Sequence, residues 1–385
     1  MKILHLCLAN FYIDNYGYQE NILPKHHKAL GHNVKIIAST ETYIDNRDLG
    51  NIEPKSYQNE DDISVTRLPY TRWLPIKIVK KLRIYSNLEK EISEFRPDVI
   101  FLHDCQFLSI RKVATYAEKN NCKVYVDSHT DFINSAKKFL SKYLLHKIIY
   151  KWCAKKIEPF VTSFFGTLPV RNTFLNEVYG IERKKIELLE FGFDNLEVPL
   201  DMFSEIRKEK RKELALNQNH TMILAGGKFD GRKNYLELIK AFKSIETKTC
   251  SLILFGKPNK ELESAFLKEV QHSNIKYLGW LNPLEITKII VASDLMVFPG
   301  THSVLWEQAV GAGIPCIFKK WEGIQHIDIG GNCLFLEEGT ETDILVSLKK
   351  VLSNKAMLNK MKKAAVSENR LRFLYSEIAK KSIQN

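Results

Sequence analysis

Short runs of β-branched and apolar residues alternate along this chain with longer stretches of helical pattern. The first half contains KILHLCL, NVKIIAS, DVIFL and KVYVD, and the second half contains TMILAGG, SLILFG, IKYLG, LMVFPG and PCIF. Nearly continuous apolar runs of this length, separated by helices, are typical of parallel strands that helices cover on both faces. The pattern therefore predicts two doubly wound, Rossmann-like α/β domains.

A polar, charged segment that includes RKEKRKE separates the two series of strands. The chain has 385 residues, which exceeds the size at which one hydrophobic core usually keeps growing. We therefore predict an N-terminal domain over residues 1–195 and a C-terminal domain over residues 196–385, with the last helix packing back on the N-terminal domain. Ligands of such domains bind at the carboxyl ends of the strands, and we expect a cleft between the two halves.

Composition excludes several classes of protein. The seven cysteines are scattered singly, without CxxC spacing or a histidine cluster, so they support neither a disulfide framework nor a zinc site. The apolar run at the N-terminus is too short for a signal-peptide core or a membrane span. The net charge of +12 is spread over both halves, without a helix-turn-helix, zinc or RNP pattern. We expect a cytoplasmic protein that does not bind nucleic acid.

A basic turn follows the first strand of the second series, in the sequence GGKFDGRKNYLELIKAF. Gly226 and Gly227 permit a tight turn, and Lys228 and Lys233 come just before a helix. Two ammonium groups, free backbone N–H groups and a helix N-terminus all favour phosphate oxygens. The turn predicts a nucleoside diphosphate site; the alternative is an ordinary solvated basic loop.

A second loop follows the strand LMVFPG and reads THSVLWEQAVGAGIPCIF. Ser303 is placed to cap a helix that begins near Val304, with Glu307 in its first turn and Gly311 and Gly313 at its end. A carboxylate repels a diphosphate, so we expect Glu307 to accept hydrogen bonds from hydroxyls such as those of a ribose. The alternative is a glutamate that only complements the helix dipole, which is worth about 0.3–1 kcal/mol.

These two loops, together with the strands SLILFG and IKYLGW, resemble glycosyltransferase family 4. Lys228 stands where that family has Arg, Lys233 keeps its Lys, and Glu307 is the second of two Glu that usually lie eight apart. The resemblance implies a GT-B fold and retaining sugar transfer from a nucleoside diphosphate sugar. It also implies that both lysines neutralise the leaving diphosphate and that Glu307 binds the ribose. Since the lysines supply the positive charge, neither a metal nor another cofactor is implied.

The loop departs from the family at one position, because Pro299 and not Glu lies eight residues before Glu307. The missing Glu normally contacts the donor sugar, so Thr301, His302 and Ser303 are the candidate replacements. The shortened loop, Pro-Gly-Thr-x-Ser-x-x-Trp-Glu-Gln-Ala, resembles a branch associated with polysaccharide assembly.

The start of the chain resembles the family's first strand, glycine loop and helix. Gly17 is placed to let the backbone approach the donor phosphate or the acceptor. His103 and His129 each follow a strand, and His129, in DSHTDF, matches the family's strand-end His beside the reacting sugar. An imidazole or a backbone carbonyl there can stabilise developing positive charge, so His129 is our candidate catalytic residue in this half. A purely structural role is the alternative for both histidines.

Two basic stretches interleave lysines and arginines with aromatic and aliphatic residues. Residues 67–83 hold six cations and no acid, and residues 137–156 hold seven lysines and no acid. A helix of this kind can lie on an anionic membrane surface, although a core-facing helix with a solvated lysine face is the alternative.

Taken together, these features predict a metal-independent retaining hexosyltransferase that acts on a glycan or lipid-linked acceptor in cell-surface polysaccharide biosynthesis, such as capsule or O-antigen assembly. We expect it to be cytoplasmic or peripheral on the inner face of the membrane. The alternatives are a nucleotide-sugar epimerase of the same fold and a non-catalytic GT-B partner subunit.

Overall fold

Both series of strands form parallel sheets in the computed structural model, which describes residues 1–44, 48–132, 141–217, 219–246 and 249–384. The chain divides into two compact units. Unit 1 comprises Met1–Glu190 and Ile378–Asn385, and unit 2 comprises Phe191–Glu377. The two predicted doubly wound α/β domains are thus present.

Within the described residues, unit 1 is built on an eight-stranded sheet in the order β10-β9-β8-β7-β1-β2-β6-β5. Its strands are β1 (Lys2–Cys7), β2 (Asn33–Ser39), β5 (Ser56–Gln58), β6 (Ser64–Leu68), β7 (Val99–His103), β8 (Lys123–Ser128), β9 (Val161–Gly166) and β10 (Ile186–Leu188), and a separate hairpin pairs β3 (Glu41–Tyr43) with β4 (Leu49–Asn51). The described pairings in the large sheet are parallel except for β5 with β6. The strand order reverses between β1 and β7, where doubly wound sheets bind ligands.

Helices pack on this sheet through buried apolar residues that share a core with the strands. In α3, for example, Leu88 and Ile92 are buried at the i, i+4 spacing that places them on one face. The helices of unit 1 are α1 (Gln19–Ala29), α2 (Ile76–Leu82), α3 (Leu88–Phe95), α4 (Ile110–Asn120), a π-helix (Ser141–Tyr150), α5 (Lys151–Ile157), α6 (Pro169–Glu177) and the last turn of α14 (Tyr375–Lys381), with 3-10 turns at Glu158–Phe160 and Arg183–Lys185.

Unit 2 contains a six-stranded sheet, parallel throughout its described strands, in the order β13-β12-β11-β14-β15-β16. The strands are β11 (Thr221–Phe229), β12 (Cys250–Pro258), β13 (Ile275–Tyr277), β14 (Leu295–Phe298), β15 (Cys316–Lys319) and β16 (Cys333–Leu336). The order reverses between β11 and β14, so the loops after these two strands border the expected ligand position.

The helices of unit 2 begin at side-chain caps in several places. Asn282, Thr340 and Asn354 each accept a hydrogen bond from a backbone N–H in the first turn of the helix that follows. The helices are α7 (Phe203–Glu213), α8 (Tyr235–Lys243), α9 (Glu263–Glu269), α10 (Pro283–Ala292), α11 (Leu305–Gly311), α12 (Glu341–Leu352) and α13 (Lys355–Ala365), with 3-10 turns at Leu200–Met202, Gly231–Lys233, Gln325–Ile327 and Glu368–Phe373.

The division between the units lies at Glu190 and Phe191, a few residues before the predicted boundary at residues 195 and 196. The reason is a long-range pairing. Phe193 donates its N–H to Phe373 O at 2.8 Å and accepts from Tyr375 N at 3.0 Å, which ties residues 191–195 to unit 2. Ile378–Asn385 group with unit 1, in which Lys381 pairs with Glu190 at 3.1 Å.

The basic stretch predicted to be helical begins outside the described residues, which omit 133–140. From Ser141 it continues as the π-helix and α5. Among the helices that the structure describes, none combines the length and apolar character needed to cross a bilayer.

Candidate functional site

The loops after β11 and β14 touch each other in unit 2, and a glycine makes their contact possible. A Cβ on Gly300 would lie 2.2 Å from Arg232 O, and the neighbouring Thr301 donates its N–H to the same carbonyl at 2.9 Å. Gly227, at the end of β11, has φ +121°, a value that L side chains rarely adopt. The two predicted donor loops are therefore brought together at the point where the strand order reverses.

The ammonium group of Lys233 joins these loops. Its Nζ donates to Thr301 O and to His302 O, each at 2.7 Å. An ammonium carries three N–H donors, so the contacts with the described residues leave one for a ligand. Burial lowers the pKa of Lys233 to about 8, because the charged form has lost much of its hydration. A partly desolvated cation of this kind is well suited to an anion such as a diphosphate.

Lys228 lies exposed at the end of β11, where β12 brings a further cation beside it. In the parallel register Gly227 faces Gly256 and Lys228 faces Lys257, which is also exposed. Lys257 was not among the residues predicted from the sequence. The sequence does contain a feature that could have identified it, because SLILFGK ends in the same Gly-Lys pair as MILAGGK.

Glu307 is fully buried in the first turn of α11 and is held by two histidines. Its Oε1 accepts from His302 Nε2 at 2.9 Å and from His326 Nε2 at 3.0 Å, and its Oε2 lies 3.0 Å from His302 Nε2. Burial alone would raise the pKa of Glu307, but His302 and then His326 lower it to about 2. Since a carboxylate only accepts hydrogen bonds, both Nε2 atoms carry hydrogen.

The partners of Glu307 thus differ from the ribose hydroxyls expected from the sequence, and its ribose role stays a prediction. His326 was not predicted from the sequence. It lies in the 3-10 turn that follows β15, so its position after a strand of the parallel sheet was the available signal.

The three residues predicted to replace the missing Glu lie in the loop between β14 and α11, and all are half-buried. Thr301 and His302 contribute their carbonyls to Lys233, and His302 also contacts Glu307. The hydroxyl of Ser303 accepts from Leu305 N at 3.4 Å, at the start of α11. The structure therefore brings Lys233, Glu307 and this loop into one site.

In unit 1, one buried carboxylate joins both predicted strand-end histidines. Asp127 Oδ1 lies 3.1 Å from His129 Nε2, and Asp127 Oδ2 lies 2.9 Å from His103 Nδ1. Asp127 and His103 are fully buried, whereas 18% of the His129 side chain is exposed. His129 is therefore the one of these two rings that a ligand can reach directly.

The surroundings of His129 give it a positive charge. Burial lowers its pKa, but the negative charge of Asp127, followed by that of Glu20, raises it to about 9. A charged ring donates hydrogen bonds to oxygen atoms and cannot stabilise developing positive charge. An imidazole or a backbone carbonyl was predicted from the sequence to stabilise developing positive charge at this strand end. Of these two, only a backbone carbonyl is suited to it.

Glu20 lies beside these histidines at the start of α1. Glu20, His103 and His129 offer ligand atoms within 4.8 Å of one another, a spacing that a metal ion could use. Both ring nitrogens of His103 already contact Asp127 and His5, so a metal would have to displace one of these partners. Gly17 lies half-buried in the loop between β1 and α1.

Comparisons with known proteins identify similar sequences and similar folds. Residues 206–368 match the family model described as "Glycosyl transferases group 1". This range lies within unit 2 and includes Lys228, Lys233 and Glu307. A curated relative, mannosylfructose-phosphate synthase of Agrobacterium fabrum, is 22% identical over 250 residues, which are 60% of this chain and 52% of that protein. The chain thus spans about half the length of this relative.

Several solved structures are similar over nearly the whole chain. Sucrose-phosphate synthase from Thermosynechococcus elongatus has a TM-score of 0.68 at 16% identity and covers 99% of this chain and 96% of its own. Anabaena HepE in complex with UDP has a TM-score of 0.68 at 14% identity, and the alignment covers 99% of this chain and 98% of HepE. These likenesses confirm the predicted GT-B fold, and with the family match they support a glycosyltransferase. Membership of family 4 and of its polysaccharide branch stays a prediction.

Proposed function

We propose that this protein is a metal-independent, retaining glycosyltransferase. It moves a hexosyl group from a nucleoside diphosphate sugar to a hydroxyl of a glycan or lipid-linked acceptor in cell-surface polysaccharide biosynthesis. The single observation that carries the proposal is the half-buried ammonium of Lys233, which the carbonyls of Thr301 and His302 hold at 2.7 Å where the strand order of unit 2 reverses. The match of residues 206–368 to a glycosyltransferase family supports it.

The lysines stabilise charge on the leaving group. When the bond between the sugar C1 and the phosphate oxygen breaks, negative charge develops on the diphosphate. The remaining N–H of Lys233, with Lys228 and Lys257 at the ends of β11 and β12, stabilises that charge. The acceptor oxygen bonds to C1 on the same face, and its proton goes to the leaving phosphate oxygen. A preformed cation of this kind contributes most when charge is largest, in the transition state.

The Glu307–His302 pair recognises donor hydroxyls. Glu307 is inaccessible while His302 covers it, and 14% of the His302 side chain is exposed. We assign His302 the role of a movable cover: a ribose hydroxyl replaces it on one carboxylate oxygen, while His326 continues to hold the other side. The exchange replaces one charge-assisted hydrogen bond by another, so it costs little.

Two exposed segments of unit 1 support the proposal that the protein binds an anionic membrane surface. Trp73 is 68% exposed and Trp152 is 45% exposed, and both lie among basic residues. The segments meet where Tyr150 OH donates to Lys81 O at 3.0 Å. Aromatic side chains next to lysines match the interface of an anionic bilayer.

Liposome flotation tests the membrane proposal. The wild type should float with vesicles rich in phosphatidylglycerol and not with pure phosphatidylcholine, and 0.5 M salt, a concentration of roughly three times the physiological value, should release it. The double variant Trp73→Ala, Trp152→Ala should float less. The matched control is Trp280→Ala, an exposed tryptophan of unit 2. Equal flotation of wild type and double variant on both lipids would refute the proposal.

Nucleotide binding and transfer test the main proposal. Thermal unfolding is measured with UDP, GDP, ADP and CMP, because a ligand that binds the folded state raises the melting temperature by mass action. We expect one diphosphate to stabilise the protein, with UDP first because HepE was solved with UDP. The matching nucleotide sugar should then release nucleotide only when an acceptor is present. Product formed without an acceptor would indicate an epimerase. A protein that binds none of the nucleotides would be a non-catalytic subunit.

A further inference from the structure

A row of buried histidines extends from Asp127 into unit 1, on the side away from His129. We call His103, His5 and His27 the histidine row. Asp127 Oδ2 contacts His103 Nδ1 at 2.9 Å, and His103 Nε2 contacts His5 Nδ1 at 3.0 Å. His5 Nε2 contacts His27 Nδ1 at 3.0 Å, and His27 Nε2 ends the row 3.1 Å from Ala379 O.

The row connects four elements that are distant in sequence. His103 ends β7, His5 lies on β1, His27 on α1, and Ala379 on the part of α14 that belongs to unit 1. The three rings are fully buried, as is Asp127. Without access to bulk water, each ring nitrogen must find its hydrogen or its acceptor within the row.

The hydrogens in the row can be counted. Both of its ends, the carboxylate of Asp127 and the carbonyl of Ala379, only accept hydrogen bonds. The four contacts between these ends need four hydrogens. Three neutral imidazoles carry one N–H each and supply three. The row is therefore complete only with one additional proton.

Ser382 offers the only rival arrangement that the described contacts provide. Its hydroxyl lies 2.9 Å from His27 Nε2 and 2.8 Å from Ala379 O. If Ser382 donates to Ala379 O, His27 must donate and the extra proton is needed. If Ser382 donates to His27, the row can be neutral, but His27 Nε2 and Ala379 O then face each other at 3.1 Å as two acceptors. The first arrangement satisfies every contact.

The extra proton belongs at the end of the row next to Asp127. Burial, followed by the neighbouring histidines, lowers the pKa of His5, and burial lowers the pKa of His27 to about 3. Both rings are therefore neutral. His103 is the ring in contact with a carboxylate, which stabilises an imidazolium in a buried site.

We propose that Asp127 and the histidine row hold one proton more than neutral rings contain, and that this proton, on His103, makes His129 release its own proton more readily. Asp127 is shared, with Oδ1 on His129 and Oδ2 on His103. When His103 is charged it offsets the carboxylate, so that His129 holds its own proton less tightly. His103, His5 and His27 are thus positioning residues that act through Asp127. Their link to catalysis rests on the proposed function; the proton count does not.

Other groups also face the row or its carboxylate and contribute to the titration. They are Glu20, His26 and His32 on or beside α1, Asp104 after β7, His129 after β8 and Arg171 on α6. Because these groups interact, the row and His129 titrate as one coupled system.

Nitrogen-15 NMR of the full-length protein with labelled histidine tests the proton count directly. At pH 7 the proposal requires His103 to carry hydrogen on both nitrogens, and His5 and His27 to carry it on Nε2 alone. The neutral arrangement requires hydrogen on Nδ1 alone in all three rings. Single His→Gln variants assign the signals, and His32→Gln, next to the row but outside it, is the control.

Two variants distinguish the charged row from the neutral one and test its effect on His129. Ser382→Ala should leave the pattern unchanged if the row is charged, and should alter His27 if Ser382 is the donor. His103→Gln can still donate to Asp127 but cannot carry charge, so His129 should titrate about one pH unit higher, and the basic limb of kcat/KM should move with it. A merely structural role of His103 predicts no such shift.

Three tautomers with hydrogen on Nδ1 would overturn the proposal, whatever the enzyme assay shows. If the row is charged but His103→Gln does not change the titration of His129, the proposed effect of His103 on His129 is wrong. If the protein showed no transferase activity at all, the proposed function would fail while the NMR count still stood, so the two failures are distinguishable.

Discussion

At the scale of single residues, the candidate donor site depends on charges whose surroundings shift their proton affinity. Lys233 is held by two carbonyls and Glu307 by two histidines, so each carries its charge at neutral pH in a partly or fully buried place. Both residues were predicted from their spacing and family resemblance. Their partners could not be predicted, because His302 and His326 reach Glu307 only after two loops have folded against each other.

Lys233→Ala should abolish transfer and weaken nucleoside diphosphate binding at least tenfold, because the loss of a charge-assisted contact costs about 1.5–3 kcal/mol. Isothermal calorimetry with UDP measures the affinity. Lys243→Ala, on α8 in an exposed ion pair with Glu269, is the control and should bind as the wild type does. Unchanged turnover in Lys233→Ala would remove this lysine from the site.

The affinity for UDP should also depend on pH. The pKa of Lys233 is about 8 in the free protein, and a bound diphosphate must raise it. Affinity is therefore full below pH 8 and falls as the pH rises above it, and binding near pH 8.5 takes up a proton. Calorimetry in two buffers with different ionisation enthalpies measures this uptake, and equal heats in both buffers would contradict the prediction.

Glu307→Gln should destabilise unit 2 by about 1–3 kcal/mol, since two histidines lose their charged acceptor. The folded-state pKa of Glu307 lies below its usual value, so its contribution is present above about pH 4.5 and is lost as the pH falls towards 2. Urea unfolding at pH 7 and pH 3 should therefore show a smaller difference between variant and wild type at pH 3. An equal difference at both values would exclude this role.

At the scale of elements, most strands were predictable because each is short, apolar and followed by a helix. The carboxyl end of each strand then fixed where candidate residues would lie, as for Lys228 and His129. Register was the missing information. Lys257 lies beside Lys228 only because β12 aligns Gly256 with Gly227, and the histidine row requires β1, β7, α1 and α14 to meet. Such contacts between distant segments leave no periodic signal in the sequence.

Gly300→Ala should disrupt the donor site, because the added Cβ would lie 2.2 Å from Arg232 O and would push the two loops apart. We expect a stability loss of about 1–3 kcal/mol and loss of UDP binding. Gly231→Ala, in the turn that Gly300 contacts, is the matched control, since a Cβ there meets none of the described atoms within 4 Å. If both variants bound UDP equally well, the close approach of the loops would be irrelevant to the site.

At the scale of the whole molecule, the last residues of the chain complete unit 1. Deletion of residues 378–385 removes Ala379 and Ser382 from His27 and Lys381 from Glu190. We expect a fall in melting temperature of several degrees, because buried polar groups lose their partners. Lys381→Met removes only the partly exposed ion pair and should cost about 0–1 kcal/mol. Identical melting of the deletion variant and the wild type would contradict this view of the C-terminus.

The pairing of Phe193 with residues 373–375 has a consequence for how such a chain can be rearranged. Asn195 and Ser376 reinforce it through two hydrogen bonds of 3.1 Å, so the first and last residues of unit 2 lie side by side. A segment whose two ends meet behaves as an insert: it can be cut out, closed on itself, or reopened at another loop without stretching its core. Residues 191–377 are therefore suited to circular permutation, or to being joined to the N-terminal domain of another protein of this fold.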